Sequence, residues 1–291
     1  MLKKIIDKRN YILLTLIIIL FTSIIIINKT TLKQQTKTYN YFNEKITVEL
    51  YTNKNTNKTF KHINKIFKKY NKYFKNPNKN NNHELIALLK YGKNLYKETN
   101  GYIDITSYKL LDSVKNNKKY EFKTKINEIN FDDKDTLVNI NIENIIAPYV
   151  VKKVEKYLKN HKIKSYIIKE DTNIITGKSY NKQKYNIPIF KDNNIIQIVC
   201  IENKSIAIKG NINTFKPYML NPHESSKNKN NKFVVVINDD INKANYLATT
   251  IYLLPKDEVR SYVKKYKVAA LYYIDDKPLK TKEFKKYEIK T

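Results

Sequence analysis

Residues 232–255 read KFVVVINDDINKANYLATTIYLLP, and this stretch is the clearest indication of the fold class. KFVVVIND (232–239) contains FVVVI, a continuous run of β-branched and aromatic residues, which is typical of a buried strand. INKANYLATTIYLLP (241–255) follows it directly and is predicted as a helix that Pro255 helps to end. A strand that passes at once into a helix indicates a domain in which a sheet and helices pack on each other.

The rest of the chain mixes the same two kinds of element. Helices are predicted over 59–75 and 83–100, where apolar residues recur at helical spacing, and over VVKKVEKYLKNHKI (150–163), with Pro148 near its start. Predicted strands are ITVELYT (46–52), TLVNINI (136–142), KSYIIKE (164–170), IIQIVCIE (195–202), SIAIKG (205–210) and VAALYYID (268–275). Because strands and helices interleave without a strict βαβ rhythm, the predicted fold class is α+β, with mixed sheets flanked by helices.

The composition narrows the function classes. Hydrophobic residues at 41% and aromatics at 12% exclude a disordered polycation, although the net charge is +29. Only Arg9 and Arg260 are arginines, whereas nucleic-acid surfaces usually rely on the forked guanidinium group of arginine. The excess of lysine is therefore attributed to an AT-rich coding sequence. No nucleic-acid partner is expected. Four glycines argue against several glycine-rich phosphate loops, and one cysteine excludes an internal disulfide framework.

The N-terminus predicts a membrane anchor. MLKKIIDKRN (1–10) is a basic start, and residues 11–27 are uncharged and would span about 25 Å as a helix. A cleaved signal peptide is the alternative, but the apolar run ends in isoleucines without a small-residue cleavage site. The positive flank should stay cytoplasmic. The prediction is therefore a single-pass membrane protein with a linker at 28–40 and an extracytoplasmic domain at 41–291.

Asp104 is the one acidic residue that stands out by its context. It lies inside the apolar-alternating segment YIDITSY (102–108), where burying a carboxylate without a partner is costly. Two interpretations stay open: a functional carboxylate, or a structural one that is hydrogen-bonded to backbone or to Thr106. The sequence contains no GxSxG, HExxH, P-loop or GxGxxG motif, and its four histidines are scattered through polar segments.

At this segment the chain resembles a known family. ETNGYIDITSYKLL (98–111) resembles the T-x-G-a-F-D-I-T-x-x-x-L signature of the FAD:protein FMN transferases, the ApbE family, formerly called thiamine biosynthesis lipoproteins. Further segments resemble the family in the same order: VNINIENIIAPYVVKKVEKYLKNHKIKSYII (138–168), EDTNIITG (170–177), SIAIKGNI (205–212), KPYMLNP (216–222) and ANYLATTIYLL (244–254). The chain is identified as a divergent member over about residues 40–280, which implies a single T-fold-like domain.

The resemblance also implies a chemistry. The family binds FAD and Mg²⁺ and moves the FMN phosphoryl unit onto a Ser or Thr of a partner flavoprotein, here a membrane or periplasmic acceptor. Phosphoryl transfer needs a metal on the phosphates and a positioned acceptor. Carried over by motif, the metal positions are Asn245 and Thr249, and the cofactor-binding positions are Asp104, Thr106, Tyr149, Gly210 and Asn211.

The chain departs from the family pattern where the chemistry is done. Ala147 stands at the family's lysine position, Pro148 at its following glycine, Tyr218 at its histidine and Asn245 at its metal-binding aspartate. Mg²⁺ sites rely on one or two carboxylates, so the loss at 245 predicts weak metal binding. The predicted function is a weakly active or inactive FMN transferase, a pseudoenzyme. The alternative is a non-catalytic module at the membrane that binds flavin, nucleotide or a partner.

Overall fold

The computed structural model of the chain describes residues 15–17, 19–20, 32–76, 82–116, 118–131, 139–210, 220–227 and 232–289. From residue 32 onward, the elements follow in this order: β1 (Lys33–Tyr41), β2 (Glu44–Thr52), α1 (Asn57–Lys75), α2 (His83–Glu98), α3 (Tyr108–Lys115), α4 (Glu143–Asn160), β3 (Tyr166–Glu170), β4 (Asn173–Thr176), β5 (Tyr185–Lys191), β6 (Asn194–Ile201), β7 (Ser205–Lys209), β8 (Leu220–Asn221), β9 (Ser226–Lys227), β10 (Phe233–Asn238), α5 (Ile241–Leu253), α6 (Val259–Lys265), β11 (Ala269–Ile274), β12 (Lys277–Lys280) and α7 (Lys282–Lys285).

An eight-stranded antiparallel sheet organises the domain, in the order β1-β2-β3-β4-β7-β10-β11-β12. Helices cover one face of it, and the β5–β6 hairpin covers the other. In β10, Val234 and Val236 belong to the helix-side core, whereas Val235 and Ile237 belong to the hairpin-side core. Successive side chains of a strand point to opposite faces, so a strand covered on both faces is apolar throughout.

The main predicted elements are confirmed, and the mixed α+β class with them. KFVVVIND contains β10, and the helix predicted after it is α5, which begins where the Asp240 carboxylate accepts hydrogen bonds from the backbone N–H groups of Asn242 and Lys243. That is an ordinary N-cap, because it satisfies N–H groups that have no partner within the helix.

The linker predicted at 28–40 is wrong over most of its length. Residues Lys33–Tyr41 form β1, which pairs with β2 over nine residues at the edge of the sheet. The strand was missed because Tyr39 is its one buried residue, and a polar edge strand carries no hydrophobic alternation.

Two further predictions need correction. TLVNINI was predicted as a strand, but its described residues 139–142 form none: Asn139 has a φ of 70°, and Asn141 N–H donates to the Ile105 carbonyl at 2.7 Å. Pro148 was placed near a helix start, whereas α4 already begins at Glu143 and holds the proline inside it. The reason is that Ile145, Ile146 and Ala147 are fully buried helical residues.

The predicted basic start at 1–10 and anchor at 11–27 lie outside the described residues, except for 15–17 and 19–20, which are helical. Within the part of the chain that the structure describes, no helix combines the length and the apolar character needed to cross a bilayer.

Candidate functional site

A tight turn between α2 and α3 holds Asp104. The backbone N–H and the hydroxyl of Thr106 both donate to Asp104 Oδ1, at 2.7 Å each. Thr106 Oγ1 also accepts the backbone N–H of Lys125 at 3.1 Å, which ties the turn to the next segment. Of the two interpretations of Asp104, the structural hydrogen bond to Thr106 is therefore present.

The second carboxylate oxygen of Asp104 is not used by this turn. Asp104 is 6% exposed, and its Oδ2 is buried without a hydrogen-bond partner among the described residues. A small cavity of about 20 Å³ lies beside it, lined also by Ser107, Asn141 and Asn144. This volume suits a single water molecule, which would meet polar groups on several sides.

The start of α4 meets the start of α5 through one hydrogen bond. Asn245 is 2% exposed, and its amide Nδ2 donates to the Asn144 carbonyl at 3.1 Å. In an α-helix that carbonyl would accept the N–H of residue 148, but residue 148 is a proline and has none. Asn245 thus supplies a donor to an acceptor that Pro148 cannot satisfy.

The metal positions do not fit Mg²⁺. Asn245 Oδ1 and Thr249 Oγ1 lie one helical turn apart on α5, and both are buried without a partner in the described part of the chain. Both oxygens are neutral, and the amide nitrogen of Asn245 is already bound to the Asn144 carbonyl. Nor do the described residues contain any cluster of three His, Cys, Asp or Glu side chains that could hold a metal. Mg²⁺ usually requires carboxylate charge, which these two positions lack.

Tyr149 follows Pro148 in α4 and lies in a group of aromatic side chains. Its ring centroid is 5.2 Å from that of Tyr91 and 6.0 Å from that of Tyr70, and Lys153 Nζ lies 4.8 Å above it. Burial raises the pKa of Tyr149, with a smaller contribution from Glu84, and burial lowers the pKa of Lys153. The phenol therefore stays neutral at physiological pH and offers a ring face and a hydroxyl.

Gly210 has a backbone role that the motif comparison could not show. Its φ is 84°, and a Cβ there would lie 1.9 Å from the Lys232 carbonyl oxygen and 2.7 Å from the Tyr252 ring. Only glycine fits such a position, because it needs a left-handed backbone and leaves no room for a side chain. Gly210 thus packs at the C-terminal end of α5, whereas Asn245 lies near its N-terminal end.

The structure brings together only part of the predicted site. Asp104 lines the same cavity as Asn144, whose carbonyl receives Asn245. Ala147 is fully buried in the core, and Asn211 and Tyr218 lie outside the described residues. The contact of Asn144 with Asn245 was not predicted from the sequence. A signal was available, because Asn144 precedes Pro148 by four residues, the spacing of a helical hydrogen bond that a proline cannot make.

A larger cavity adjoins the other side of the Asp104 turn. It measures about 200 Å³ and is lined by Thr106, Tyr120, Phe122 and three lysines, Lys109, Lys123 and Lys125, among others. Glu128 lines the cavity too and pairs with Lys125 at 3.1 Å, so the lining keeps a net positive charge, which favours an anionic ligand. Spacing along the sequence gave no indication of this cavity, because its lysines do not stand out in a chain so rich in lysine.

Comparisons with known proteins agree with this fold. The model of the ApbE family matches residues 36–272. Three similar solved structures are the ApbE protein of Thermotoga maritima (15% identity, 89% of this chain and 100% of that chain, TM-score 0.75), the apo flavinyl transferase ApbE of Pseudomonas stutzeri (16%, 89% and 98%, 0.72) and the flavin transferase ApbE of Vibrio cholerae (14%, 88% and 99%, 0.72). No curated protein matches the sequence. Since the family match spans most of the chain, the protein belongs to the ApbE family.

Proposed function

We propose that this chain is a membrane-anchored, outward-facing ApbE-family protein whose FMN transferase activity is weak or lost. One observation carries the proposal: the amide of Asn245 donates to the Asn144 carbonyl where the family motif has a metal-binding aspartate. A transferase needs a cation to neutralise phosphate charge during the reaction. A side chain that uses its polar group to complete the α4–α5 contact does not supply the carboxylate for that cation.

The substrate side of the proposal rests on the relatives. Solved relatives are described as flavin or flavinyl transferases, so FAD and a flavoprotein acceptor are the ligands to test first. The Asp104–Thr106 turn and Thr249 match the family motifs, so part of the ligand-binding surface can be retained after the chemistry has gone. Fold and activity are separable in this way.

The test measures covalent flavin on an acceptor. The full chain in detergent, FAD, Mg²⁺ and a Ser/Thr flavoprotein acceptor domain are incubated, and acceptor fluorescence is read on a denaturing gel. An active family member that has Asp at the position of Asn245 is the matched control. We expect a fluorescent acceptor band with the control and none, or a trace, with this chain. A band of comparable intensity from this chain would overturn the proposal.

The anchor is tested separately from the chemistry. It is supported by the uncharged run at 11–27 and by the exposed apolar side chains within it, Leu16 at 58% and Leu20 at 63%. Covering such side chains with lipid is favourable. Protease added to intact spheroplasts should remove the domain from the outer face. Full protection of the domain, together with cleavage after lysis, would contradict the orientation.

A non-catalytic nucleotide-binding module is the second candidate, and the 200 Å³ cavity favours it. Its lysines Lys109, Lys123 and Lys125 would attract the phosphates of a flavin nucleotide. Equilibrium dialysis with FAD should then show binding that Lys123→Gln and Lys125→Gln weaken, while Lys264→Gln on α6 leaves it unchanged. FAD binding that none of these variants alters would remove the cavity from consideration.

A further inference from the structure

The outer face of the β5–β6 hairpin is unusually apolar. Inward, Ile187, Ile189 and Val199 are buried against the sheet. Outward, two cross-strand pairs carry apolar side chains: Pro188 opposite Ile198, and Phe190 opposite Ile195. Phe190 is 43% exposed, Ile195 55% and Ile198 38%. A hairpin that only protects the sheet needs one apolar face, so the second one needs another explanation.

The C-terminal segment widens this apolar surface. Val199 forms a bridge with Glu288, and Cys200 N–H donates to the Tyr287 carbonyl at 2.7 Å, so Tyr287–Ile289 runs beside β6. Ile289 is 39% exposed. The outer surface made by Pro188, Phe190, Ile195, Ile198 and Ile289 is called the hairpin face below. Contiguous apolar surfaces of this kind on a polar protein mark interaction sites.

The chain between the predicted anchor and the domain is short enough to keep the domain close to a bilayer. The apolar run ends at residue 27 and β1 begins at Lys33, so only residues 28–32 connect them. Fully extended, five residues and their flanking bonds reach about 20 Å. A domain of this size has a diameter of about 45 Å. The entry point of the domain therefore lies within about 20 Å of the bilayer, less than half the domain's diameter, so one of its faces stays next to the membrane.

The base of the hairpin lies near the point of attachment, and the hairpin runs from there across the sheet to the β11–β12 turn, where Lys191 Nζ lies 3.4 Å from Asp276 Oδ1. Lys33 pairs with Thr52 at the end of β2, next to Tyr51. The Tyr51 ring stacks on Tyr180 at 4.2 Å, and it lies 6.0 Å from the ring of Tyr185, the first residue of β5. The chain thus enters the domain beside the base of the hairpin, on the side of the sheet that the hairpin covers.

We propose that the hairpin face lies in the interfacial region of the bilayer to which residues 11–27 anchor the chain. The proposal rests on the anchor proposed above. Moving Phe and Ile side chains out of water lowers the free energy of the system. An exposed tyrosine such as Tyr180 suits the level of the lipid headgroups. The lysine excess of the domain, which the basic start at 1–10 does not account for, adds attraction to anionic headgroups. The bilayer surface is thus a partner that matches both the apolar strip and the charge.

Because the chain has no tryptophan, one substitution creates a unique reporter. The full chain carrying Phe190→Trp is reconstituted into vesicles of phosphatidylglycerol and brominated phosphatidylcholine. Tyr266→Trp is the matched control, since Tyr266 is an aromatic residue of similar exposure, 49%, on the helix side of the sheet. We expect at least a twofold loss of fluorescence at position 190 and almost none at 266. Ile195→Trp, on the paired strand, should repeat the result at 190.

A third reporter tests the competing orientation. α1 contains seven lysines and no acidic residue, and Lys65→Trp places a reporter on its exposed surface. Quenching at 65 but not at 190 and 195 would show that the domain rests on its helix layer and would overturn the proposal. Emission at 190 that shifts with protein density in unbrominated vesicles would identify a second copy as the occupant, which overturns it as well.

Failure of the anchor is distinguishable from failure of the hairpin face. An alkaline carbonate wash removes peripheral proteins but leaves spanning ones, so a chain that is washed off contradicts the anchor. A chain that resists the wash, with reporters 190 and 195 unquenched, leaves the anchor standing and refutes the hairpin face alone.

Discussion

At the scale of single residues, two departures from the family motifs, Pro148 and Asn245, are linked by one hydrogen bond. Pro148 removes the N–H that would bond the Asn144 carbonyl, and Asn245 supplies an N–H to the same oxygen. Asp at position 245 could not do this when ionised, because a carboxylate only accepts hydrogen bonds. Asn245 therefore complements Pro148, and replacing Asn245 alone with the aspartate of the family does not restore a metal site.

The first prediction follows from that contact. Asn245→Asp should lower the free energy of unfolding by about 1–3 kcal/mol, because it leaves the partly buried Asn144 carbonyl without a donor and sets a negative charge against it. Asn242→Asp is the matched control: it adds the same charge in the first turn of α5, where the helix dipole favours anions. Urea unfolding of both variants gives the difference.

Mg²⁺ provides the outcome that would contradict this reasoning. If Asn245→Asp rebuilt a working metal site, Mg²⁺ would raise its Tm well above that of the wild-type chain under the same conditions. The variant would also gain FMN transfer to an acceptor. We expect neither, because Ala147 and Pro148 still replace the lysine and glycine of the motif, and groups that act together are not repaired singly.

At the scale of elements, the contact joins α4 to α5, and a double-mutant cycle measures it. Asn245→Ala should cost about 1–3 kcal/mol in the wild-type chain. In a Pro148→Ala background the restored backbone N–H can bond Asn144, so the same substitution should cost about 1 kcal/mol less. Asn242→Ala in the two backgrounds is the control and should be additive. A purely additive cycle for Asn245 would show that the proline and the asparagine are independent.

The other end of α5 depends on a buried lysine. Lys232 is 3% exposed, and its Nζ donates to the carbonyls of Leu254, of Tyr252 at 3.3 Å and of Ile251 at 3.5 Å. Ile251 and Tyr252 lie in the last turn of α5 and Leu254 is its C-cap residue, so no N–H within the helix reaches these carbonyls. Burial lowers the pKa of Lys232 to about 8, against an ordinary value near 10.5.

A pH dependence with a definite sign follows. Between pH 8 and 10.5 the unfolded chain keeps the proton on Lys232 and the folded chain releases it, so stability rises with pH across that window. The lowered value corresponds to a penalty of about 3 kcal/mol below pH 8, which declines progressively as the pH rises from 8 to 10.5. Urea unfolding between pH 7.5 and 9.5 should show the rise in wild type and a flatter profile in Lys232→Met. Lys264→Met, an exposed lysine of α6, should keep the wild-type slope.

At the scale of the whole molecule, the elements that could be predicted from the sequence are those whose side chains are buried. β10 could be predicted because both of its faces are covered, which makes every position apolar. β1 could not, because an edge strand exposed to water is indistinguishable from a polar linker. The Asp104–Thr106 bond is local and could be foreseen, whereas the Asn144–Asn245 bond joins residues 101 apart and depends on where α4 begins.

Tyrosine dominates the alkaline behaviour of the molecule. Burial raises the pKa of twelve described tyrosines, to about 12 for Tyr262. The others are Tyr39, Tyr51, Tyr70, Tyr91, Tyr102, Tyr149, Tyr166, Tyr185, Tyr246, Tyr252 and Tyr272. They lie mostly in the helix-side core, so their ionisation is coupled to the packing of the whole domain.

The last prediction is that stability peaks near pH 10 and then falls cooperatively. A tyrosine whose folded pKa is raised contributes stability that is complete below about pH 10, the unfolded value, and is lost as pH rises toward the folded value. Below pH 10, loss of the Lys232 proton in the folded chain has the opposite effect, and stability rises with pH. Tyrosinate absorbance and circular dichroism, followed together from pH 9 to 13, should show delayed ionisation that coincides with loss of structure. In urea the same tyrosines should titrate near pH 10 without delay. Ionisation of most tyrosines near pH 10 with circular dichroism unchanged would mean that their hydroxyls lie in water and that the packing described for the helix-side core is wrong.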